Sequence, residues 1–480
     1  MLLNGIKGLM SVIFPLITFP YISRVLGVDN VGKYNFANSI MTYFVMLSEL
    51  GIATYAIREG ARIRNSKKEI EKFASEIFTI NILSMTVSYL LFFVSLIIID
   101  GLYAYRSLLI ILSLQIIFKT FSVDWIYNIF EDYIFTTIRS ILFQILSLLC
   151  MFILVKDEGD VNIYALITVF AIGGAGIINF GYSRKYCKIR VSFRNELMKH
   201  MKPILTLFAL AVTVTIYVSS DITILGIYYG DRTVGIYSVS VKIYTIVKML
   251  LTYILMVSVP HLAVALGEHN ETKFRVIATK IHNILITFSL PAMIGVCLLR
   301  KQIIEIVSGK EFLLAESSLA LLSFALVFGM LAYFWSQCIL INFQKDMLVF
   351  KITIISASVN ILLNLILIPV WKENAAAITT IVAEFISFVC CYYFGKKLVK
   401  IEGARFVMLK VIIGCGGMIV LTLRLQNIAI HNVYNIAFII IADALLYFVI
   451  QVLLKNPVVL EIVDSINNKL LKKEKRNIYD

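Results

Sequence analysis

Apolar runs separated by short polar loops recur from one end of the chain to the other. A run of about 20 apolar residues crosses the roughly 30 Å hydrocarbon layer of a bilayer as a helix. The pattern therefore predicts an all-α polytopic membrane protein with fourteen spanning helices, numbered here as spans 1 to 14. Their predicted bounds are 7–26, 35–57, 75–99, 107–130, 133–155, 162–182, 203–228, 235–259, 281–300, 314–341, 347–370, 374–394, 406–424 and 433–454.

Composition supports this fold class. The 480 residues are 60% hydrophobic and only 15% charged, whereas soluble domains carry about 25% charged residues. A soluble core cannot cover that much apolar surface. The first run contains Pro15 and Pro20, and no small-x-small cleavage site follows it. We therefore expect a membrane helix there and not a removed signal peptide.

Loop charge predicts the orientation of the chain, because Lys and Arg accumulate in short cytoplasmic loops. The loops after even-numbered spans and the tail hold most of the basic residues, as in "REGARIRNSKKEIEK", whereas opposite loops such as "KDEGD" hold few. Both termini are therefore expected in the cytoplasm. The same bias accounts for most of the net charge of +14, so no nucleic-acid partner is expected.

One motif occurs twice. The stretches "VGKYNFANSI" (31–40) and "VGIYSVSVKI" (234–243) share Val-Gly-x-Tyr and lie 203 residues apart, the first between spans 1 and 2 and the second between spans 7 and 8. An offset of six spans gives both copies the same orientation. It predicts two parallel six-helix lobes related by a pseudo-two-fold axis along the membrane normal. The alternative is that Gly and aromatic residues are simply common where helices leave the membrane.

The repeat divides the chain into five predicted parts. These are an N-lobe, a cytoplasmic linker, a C-lobe, two extra helices and a basic cytoplasmic tail, at 1–182, 183–202, 203–400, 401–454 and 455–480. The tail should form an amphipathic helix on the inner membrane surface, with Asn456 as N-cap and Pro457 in the first turn. Its apolar face would be formed by Val459, Ile462, Val463, Ile466 and Leu470.

Ionisable residues inside the spans are the candidates for function. One such residue in mid-bilayer costs about 2.5 to 3.5 kcal/mol, so it normally faces a partner or water. The candidates are Glu49, Lys119, Asp124, Arg139, Asp221, Lys242, Lys248, Lys351, Glu384 and Asp443.

Depth predicts two ion pairs among these candidates. Asp124 and Arg139 are nearly equidistant from the turn "FEDY", and Asp221 and Lys242 are nearly equidistant from the centre of "DRTVG". Neighbouring antiparallel helices therefore place each pair at one depth. Such a pair is either purely structural or lines a wet cavity that binds charged cargo.

Lys119 and Lys248 are interpreted as lone mid-span lysines. The interface is roughly 15 Å away, which is too far for a lysine stem. A cavity with a cationic bias suits an anion, because Lys and Arg hold phosphate oxygens by charge-assisted hydrogen bonds. The possible coupling carboxylates are Glu49, Asp221, Glu384 and Asp443, and the sequence does not rank them. It also leaves open whether protons, sodium or the membrane potential drives transport.

The seven cysteines and five histidines show no ligand spacing, so neither a metal site nor a cofactor is expected.

Three stretches resemble a known family. "FPLITFPYISRVLGVDNVGKYNFANSI", "DWIYNIFEDYIFTTIRS" and "NILLNLILIPVWKENAAAITTIVAE" are similar to bacterial oligosaccharide flippases, also called polysaccharide biosynthesis transport proteins. These belong to the multidrug/oligosaccharidyl-lipid/polysaccharide exporter superfamily. The resemblance covers spans 1 to 12 and is expected to extend over the whole chain. It departs from the family pattern at Asn128 and Ile129, where Gln-Gly is usual, and at 375–377, where three alanines replace Gly-Ala-Ala.

The resemblance implies a function. It implies export of an undecaprenyl-diphosphate-linked oligosaccharide across the bacterial inner membrane, by alternating access through a cationic cavity between two lobes. By location, basic residues important in the related lipid II flippases correspond to Arg24, Arg58 and Lys242. The resemblance also implies that spans 13 and 14 shelter the lipid tail. Membrane lipids, a polysaccharide polymerase and a chain-length regulator are the implied partners, and a monomer is compatible with the sequence.

Two rival functions are kept. A multidrug or cation antiporter of the same superfamily would share the fold but would favour acidic cavity residues. A membrane-embedded polymerase or glycosyltransferase would be an enzyme and would usually need a large extracytoplasmic loop. The loops here are short and the charge is cationic, so a flippase without enzymatic activity is the leading hypothesis.

Overall fold

The computed structural model describes residues 2–192, 195–256, 259–268, 270–426 and 433–464. These described residues form helices joined by short turns, and they contain no strand. The α-helices are α1 (Leu2–Glu49), α2 (Ile52–Ile63), α3 (Lys67–Ile98), α4 (Arg106–Ser122), α5 (Asp124–Ile129), α6 (Tyr133–Leu154), α7 (Val161–Gly173), α8 (Gly176–Tyr182), α9 (Met198–Met256), α10 (Val259–Gly267), α11 (Glu271–Leu298), α12 (Arg300–Val307), α13 (Glu316–Tyr333), α14 (Asp346–Gly395), α15 (Ala404–Gln426) and α16 (Val433–Leu453).

Three of these helices are each long enough to cross a bilayer twice. Eleven helical stretches of the described chain are long and apolar enough to span a membrane, and three of them contain 51, 56 and 50 residues. At 1.5 Å per residue each of the three would extend about 75 Å or more, over twice the hydrocarbon thickness. Within these stretches, the long helices α1, α9 and α14 each contain one residue with non-helical backbone, at Gly27, Gly230 and Lys372. Divided there, they give the fourteen predicted spans.

The first two corners repeat the same backbone. Gly27 has φ 70° and ψ 176°, and Gly230 has φ 72° and ψ −169°. Glycine adopts a positive φ at little cost, whereas other residues are strained there. The two glycines are 203 residues apart, like the two Val-Gly-x-Tyr motifs. The loops expected before spans 2 and 8 are therefore one-residue corners with helix on both sides.

The two corners contact each other reciprocally. A Cβ atom added to Gly32 would lie 1.8 Å from the carbonyl oxygen of Asp231, and one added to Gly235 would lie 2.1 Å from that of Val28. Gly32 and Gly235 are equivalent positions of the repeat, as are Val28 and Asp231. Such a reciprocal contact requires a pseudo-two-fold axis and places both motifs on one side of the membrane. This agrees with the predicted parallel repeat.

Charged residues of the corners also meet across this axis. Arg232 Nη1 lies 3.4 Å from Asp29 Oδ2. Asp29 and Arg232 are themselves equivalent positions of the repeat, 203 residues apart. The Tyr105 hydroxyl donates a hydrogen bond of 2.6 Å to Asp231. The corners are therefore held together by close backbone packing together with polar contacts.

The chain forms two compact units. The first comprises Met1–Val239, Val307–Phe312 and Ala357–Ala376, and the second the remaining segments. The first unit contains two apolar clusters, one around Tyr55, Phe73 and Trp125 and one around Tyr34, Phe92 and Leu112. A third cluster lies in the second unit and includes Leu285, Phe334 and Trp335. Large apolar side chains are also exposed, for example Leu90 and Ile97 of α3, as expected for a lipid-facing surface.

Several spans are interrupted where the sequence predicts continuous helix. Span 2 breaks at Leu50 and Gly51, which have φ values of 46° and 68°, and span 4 breaks at Val123, with φ 40°. A left-handed residue cannot continue a right-handed helix, so α2 and α5 are separate short helices. Span 6 is divided into α7 and α8 by a turn at Gly174 and Ala175, although both residues have negative φ. These breaks fall close to Glu49 and Asp124, two of the candidate residues.

The start of the tail follows the prediction. Residues 457–464 are helical, and the Asn456 side chain accepts a hydrogen bond of 3.0 Å from the Val458 amide, as an N-cap does. The predicted positions Ile466 and Leu470 lie outside the described residues. The placement of this helix on the inner membrane surface stays a prediction.

Candidate functional site

Asp124 and Arg139 form the ion pair that their equal depth predicts. Arg139 Nη1 lies 3.0 Å from Asp124 Oδ1, and the Arg139 side chain is only 12% exposed. Asn179 donates a second hydrogen bond of 3.0 Å to the same oxygen. Within the described residues, Arg139 Nε is buried and has no hydrogen-bond partner. The guanidinium therefore retains a donor that an anionic ligand could use.

The turn before Arg139 is fixed by a hydrogen-bonded carboxylate. Asp132 caps α6 by accepting from the Phe135 amide at 3.2 Å, and it also accepts from the Tyr186 hydroxyl. Partial burial raises the pKa of Asp132, but these hydrogen bonds outweigh burial and hold the pKa below its usual value. The capped turn fixes the start of the helix that carries Arg139.

Lys119 is not the lone lysine expected from the sequence. Its Nζ lies 3.0 Å from Glu49 Oε1, and both side chains are partly exposed. Lys119 belongs to α4 and Glu49 is the last residue of α1, so the pair joins spans 4 and 2. The prediction of an unpaired Lys119 was wrong because its partner comes from a helix that is not adjacent in sequence.

Lys248 is also paired, in the second compact unit. Its Nζ lies 2.5 Å from Glu384 Oε1 and donates to the Tyr244 hydroxyl at 3.1 Å. Glu384 is buried. A Cβ atom added to Gly329 would lie 3.0 Å from Lys248 Nζ, so this glycine leaves the space that the pair occupies. The prediction of a lone lysine was again wrong.

Within its own compact unit, Asp221 has neutral hydrogen-bond partners. Its carboxylate accepts hydrogen bonds of 3.0 Å from the Tyr237 hydroxyl and 2.6 Å from the Asn364 amide. Asp221 is buried, so these donors offset much of the cost of placing a carboxylate in the membrane. The predicted pairing of Asp221 with Lys242 stays a prediction.

The two arginines assigned by location are both exposed. Arg24 donates a hydrogen bond of 2.9 Å to the Pro20 carbonyl, close to the Gly27 corner. Arg58 lies on α2, and its ion pair among the described residues is with the adjacent Glu59, at 3.1 Å. Arg58 therefore does not join the pairs formed by Lys119 and Arg139.

An apolar cavity lies beside the last two spans. It has a volume of about 590 Å³ and is lined by α11, α15, α16 and the helix after Asn456. Ala292, Met418 and Phe448 are among its lining residues. Its buried carboxylate is Asp443, whose Oδ2 accepts a hydrogen bond of 2.6 Å from Thr422. Lys351, the remaining candidate, is exposed on α14.

Two polar groupings were missed by sequence reasoning. His200 is buried and contacts Glu76 Oε2 at 2.9 Å and the Tyr55 hydroxyl at 2.8 Å. Gln115 of α4 donates to the Asn38 side chain of α1 at 3.4 Å. Neutral amides carry no charge that would mark them inside a span, and Glu76 and His200 lie at the predicted ends of spans 3 and 7. The helical spacing of Asn35, Asn38 and Thr42 could have indicated the second grouping.

The fold and its intramembrane charges define a class of protein. The structure is similar to that of the lipid II flippase MurJ in an inward closed conformation, with a TM-score of 0.78, 18% identity and coverage of 95% of this chain and 100% of that one. It is also similar to a multidrug resistance MATE family transporter in its inward-facing conformation, with a TM-score of 0.61, 14% identity and coverage of 82% and 94%. These likenesses show the fold. Together with the MatE family model, which matches part of the chain, they place the chain in the MOP superfamily of helical membrane proteins.

Sequence comparison identifies the family within that class. The family described as "Polysaccharide biosynthesis protein" matches residues 2–266 and the MatE family matches residues 206–366. The first match covers more than half of the chain, which therefore belongs to the polysaccharide biosynthesis protein family.

Two relatives match over most of their length. The chain is 23% identical over 398 residues to the capsular polysaccharide biosynthesis protein CapF of Staphylococcus aureus, covering 82% of this chain and 98% of that protein. It is 25% identical over 386 residues to a putative O-antigen transporter of Escherichia coli (strain K12), covering 78% and 90%. The resemblance recognised in the sequence is confirmed.

Proposed function

We propose that this protein moves an undecaprenyl-diphosphate-linked oligosaccharide from the cytoplasmic to the periplasmic leaflet of a bacterial inner membrane. The lipid-linked unit would then enter O-antigen, capsule or a similar surface polysaccharide. The family and the names of the relatives support a polysaccharide transporter. The lipid carrier and the direction of transport are inferred from the resemblance and from the charges described above.

The observation that carries the proposal is the pairing of three cations inside the spans with carboxylates. Lys119, Arg139 and Lys248 each lie within 3.0 Å of an acidic oxygen. An uncompensated cation in the membrane is costly, so a partner carboxylate stabilises the empty protein. A diphosphate can replace that carboxylate, because phosphate oxygens accept the same charge-assisted hydrogen bonds. The cargo thus enters by exchange of anions.

The exchange between carboxylate and diphosphate also explains how the cargo is released. A site that bound the diphosphate equally tightly in both states would trap it. The displaced carboxylate competes for the cation and promotes departure of the cargo on the far side. A carboxylate freed in this way takes up a proton or a metal cation, which would couple transport to an ion gradient. Glu49 and Glu384 therefore rank above Asp443 as coupling groups, since each is paired directly with a candidate cation.

The exchange would occur between two lobes that open alternately to each side. We assign the lobes to 1–182 and 203–400, with 183–202 as the cytoplasmic linker and both termini in the cytoplasm. The parallel repeat supports this arrangement, because an axis along the membrane normal relates the two halves. The apolar cavity beside α15 and α16, in the segment 401–454, would hold part of the lipid tail. A bulky Ala444→Trp change inside it should lower transport.

The proposal is tested by removing the cations. Lys119→Ala, Arg139→Ala and Lys248→Ala should each reduce surface polysaccharide at least tenfold when export is expressed per amount of folded protein in the membrane. The Lys-to-Arg and Arg-to-Lys variants should retain part of the activity, because the charge remains. Lys351→Ala is the matched control, since Lys351 is an exposed lysine of a spanning helix. Normal export by all three alanine variants would refute the exchange mechanism.

The antiporter alternative has one observation in its favour. The MatE family matches residues 206–366, the region that contains Asp221 and Lys248. A cationic drug would pair with the carboxylates, so Glu384→Gln would abolish drug export whereas Lys248→Ala would spare it. If the cargo is anionic, Lys248→Ala should instead abolish export. Measuring both substrates in both variants separates the two functions.

A further inference from the structure

A stripe of polar side chains runs along the second half of α1. Asn35, Asn38, Thr42 and Glu49 recur at intervals of three, four and seven residues, which places them on one helix face. From Asn38 to Glu49 the helix rises by about 16 Å. The four side chains are at least partly exposed, although this half of α1 lies within a membrane span. A polar face of this length requires water or a polar ligand beside it.

The neighbouring helix α4 carries a matching face. Gln115 and Lys119 are four residues apart and therefore lie one above the other. Gln115 Nε2 donates to Asn38 Oδ1 at 3.4 Å, and Lys119 Nζ contacts Glu49 Oε1 at 3.0 Å. All four residues belong to the first compact unit. The two helices thus present an amide pair followed by an ion pair.

The amide pair has unused hydrogen-bonding capacity. An asparagine or glutamine side chain offers two N–H donors and a carbonyl oxygen with two lone pairs. The contact between Gln115 and Asn38 uses one donor and one lone pair. By contrast, Asn35 and Thr42 donate to backbone carbonyls of their own helix, at 2.8 Å each. Asn38 and Gln115 are therefore the members of the stripe best able to bind a further partner.

We propose that Asn38 and Gln115 bind hydroxyl groups of the sugar chain while Lys119 holds the diphosphate of the same cargo. This inference rests on the proposed function and adds the residues that select the sugar. A sugar hydroxyl donates and accepts, as a primary amide does, so adjacent hydroxyls can pair with the two amides. Such neutral hydrogen bonds are weaker than charge-assisted ones. They permit release of the sugar while still discriminating between hydroxyl patterns.

The site would select among sugars because an unsuitable sugar leaves polar groups of the site without hydrogen-bond partners. A site built to hydrogen-bond a hydroxyl group rejects an analogue that lacks it, because the polar groups of the site remain without partners. A sugar that is deoxygenated or acylated at the contacted position should therefore bind poorly. The diphosphate contact, in contrast, is independent of the sugar. Lys119 would therefore bind the diphosphate, which all such lipids share, whereas Asn38 and Gln115 would contact the sugar, which varies.

The test compares two lipids on the purified full-length protein in lipid nanodiscs. The probes are undecaprenyl diphosphate without sugar and undecaprenyl diphosphate bearing a neutral disaccharide. Wild-type protein should bind the disaccharide lipid about tenfold more tightly than the bare lipid. Asn38→Ala and Gln115→Ala should remove that tenfold difference without changing the affinity for the bare lipid. Lys119→Ala should weaken binding of both lipids by a similar factor.

Control variants separate recognition from packing. Asn30→Ala removes an amide from another face of the same helix, where its donor bonds to the Leu26 carbonyl, and it should leave both affinities unchanged. Asn38→Gln and Gln115→Asn retain the amide and the interhelical polarity but displace the group. They should keep the wild-type melting temperature and lose most of the preference for the disaccharide lipid. A merely structural role would not produce this change in preference at constant stability.

Each outcome has a distinct meaning. If Asn38→Ala weakens the binding of both lipids equally, or if wild-type protein binds both equally, the sugar-reading role is wrong while the proposed function stands. If wild-type protein binds neither lipid, the proposed function fails and this inference fails with it. Loss of the disaccharide preference alone, with normal binding of the bare lipid, supports the inference.

Discussion

The reciprocal glycine contact yields a quantitative prediction about the corners at Gly27 and Gly230. Gly32→Ala would place a methyl carbon 1.8 Å from the Asp231 carbonyl oxygen, and Gly235→Ala would place one 2.1 Å from that of Val28. An ordinary contact between a carbon and a carbonyl oxygen is about 3.3 Å or longer. The two helix corners must therefore move apart by more than about 1 Å in either variant.

The expected cost follows from this displacement. Overpacking of a tight interface destabilises a protein by about 1 to 3 kcal/mol. Separation also removes close Cα–H···O contacts, which contribute about 0.5 to 1 kcal/mol each. The gain in helix propensity from Gly to Ala is no more than about 1 kcal/mol. We therefore expect each variant to lose about 1 to 3 kcal/mol in the free energy of unfolding.

The assay is the thermal unfolding of purified wild-type and variant protein in detergent. The double variant Gly32→Ala/Gly235→Ala should lose less than the sum of the single losses, because the first methyl group already separates the corners. Gly416→Ala is the control, since a Cβ atom added there has no heavy atom within 4 Å. Single variants that unfold at the same temperature as Gly416→Ala, or losses that add fully, would refute the reasoning.

Three further predictions concern other parts of the structure. Lys248→Ala should destabilise the protein by about 3 to 5 kcal/mol because it leaves Glu384 buried without its counter-charge, and Lys248→Met with Glu384→Met should recover most of that loss in the same unfolding assay. Because the pKa of Asp132 is lowered in the folded protein, its stabilisation is complete above the ordinary aspartate pKa of about 3.9 and is lost as the pH falls through the lower folded value. Asp132→Asn should therefore lower the melting temperature at neutral pH and flatten its decline in acid, and an unchanged acid limb would contradict this. Lys372→Gly should raise stability by about 1 kcal/mol, because Lys372 has φ 50° and ψ −131°, a conformation strained for any residue other than glycine.

The contrast between the ion pairs shows what a sequence can and cannot predict here. Asp124 and Arg139 were paired correctly because one tight turn fixes the relative depth of two consecutive helices. Lys119 and Glu49 come from spans 4 and 2, where no single turn sets the register. The same is true of Lys248 and Glu384, from spans 8 and 12. Counting residues from a turn gives depth, but it does not give the rotation and proximity of helices distant in sequence.

The repeat was predicted on similar terms. The two Val-Gly-x-Tyr motifs are six spans apart. An even number of spans returns the chain to the same side of the membrane, so the spacing predicts their common orientation. The spacing did not indicate that each glycine contacts the backbone of the other motif. That contact depends on where the symmetry axis lies, which is determined by how the helices pack. The helix breaks at Val123 and Leu50 were also not predicted. Neither residue type favours a positive φ, so no local signal marks them.

The pair formed by Asp29 and Arg232 has an evolutionary consequence. In a homodimer of identical six-helix proteins, a residue beside the two-fold axis meets its own copy, and two aspartates or two arginines there would repel. Once both copies lie in a single gene, the two positions can change independently. One copy can then become acidic and the other basic. The ion pair at 3.4 Å is an attraction that two identical subunits could not form there, whereas the glycines beside it remain subject to the same constraint in both halves.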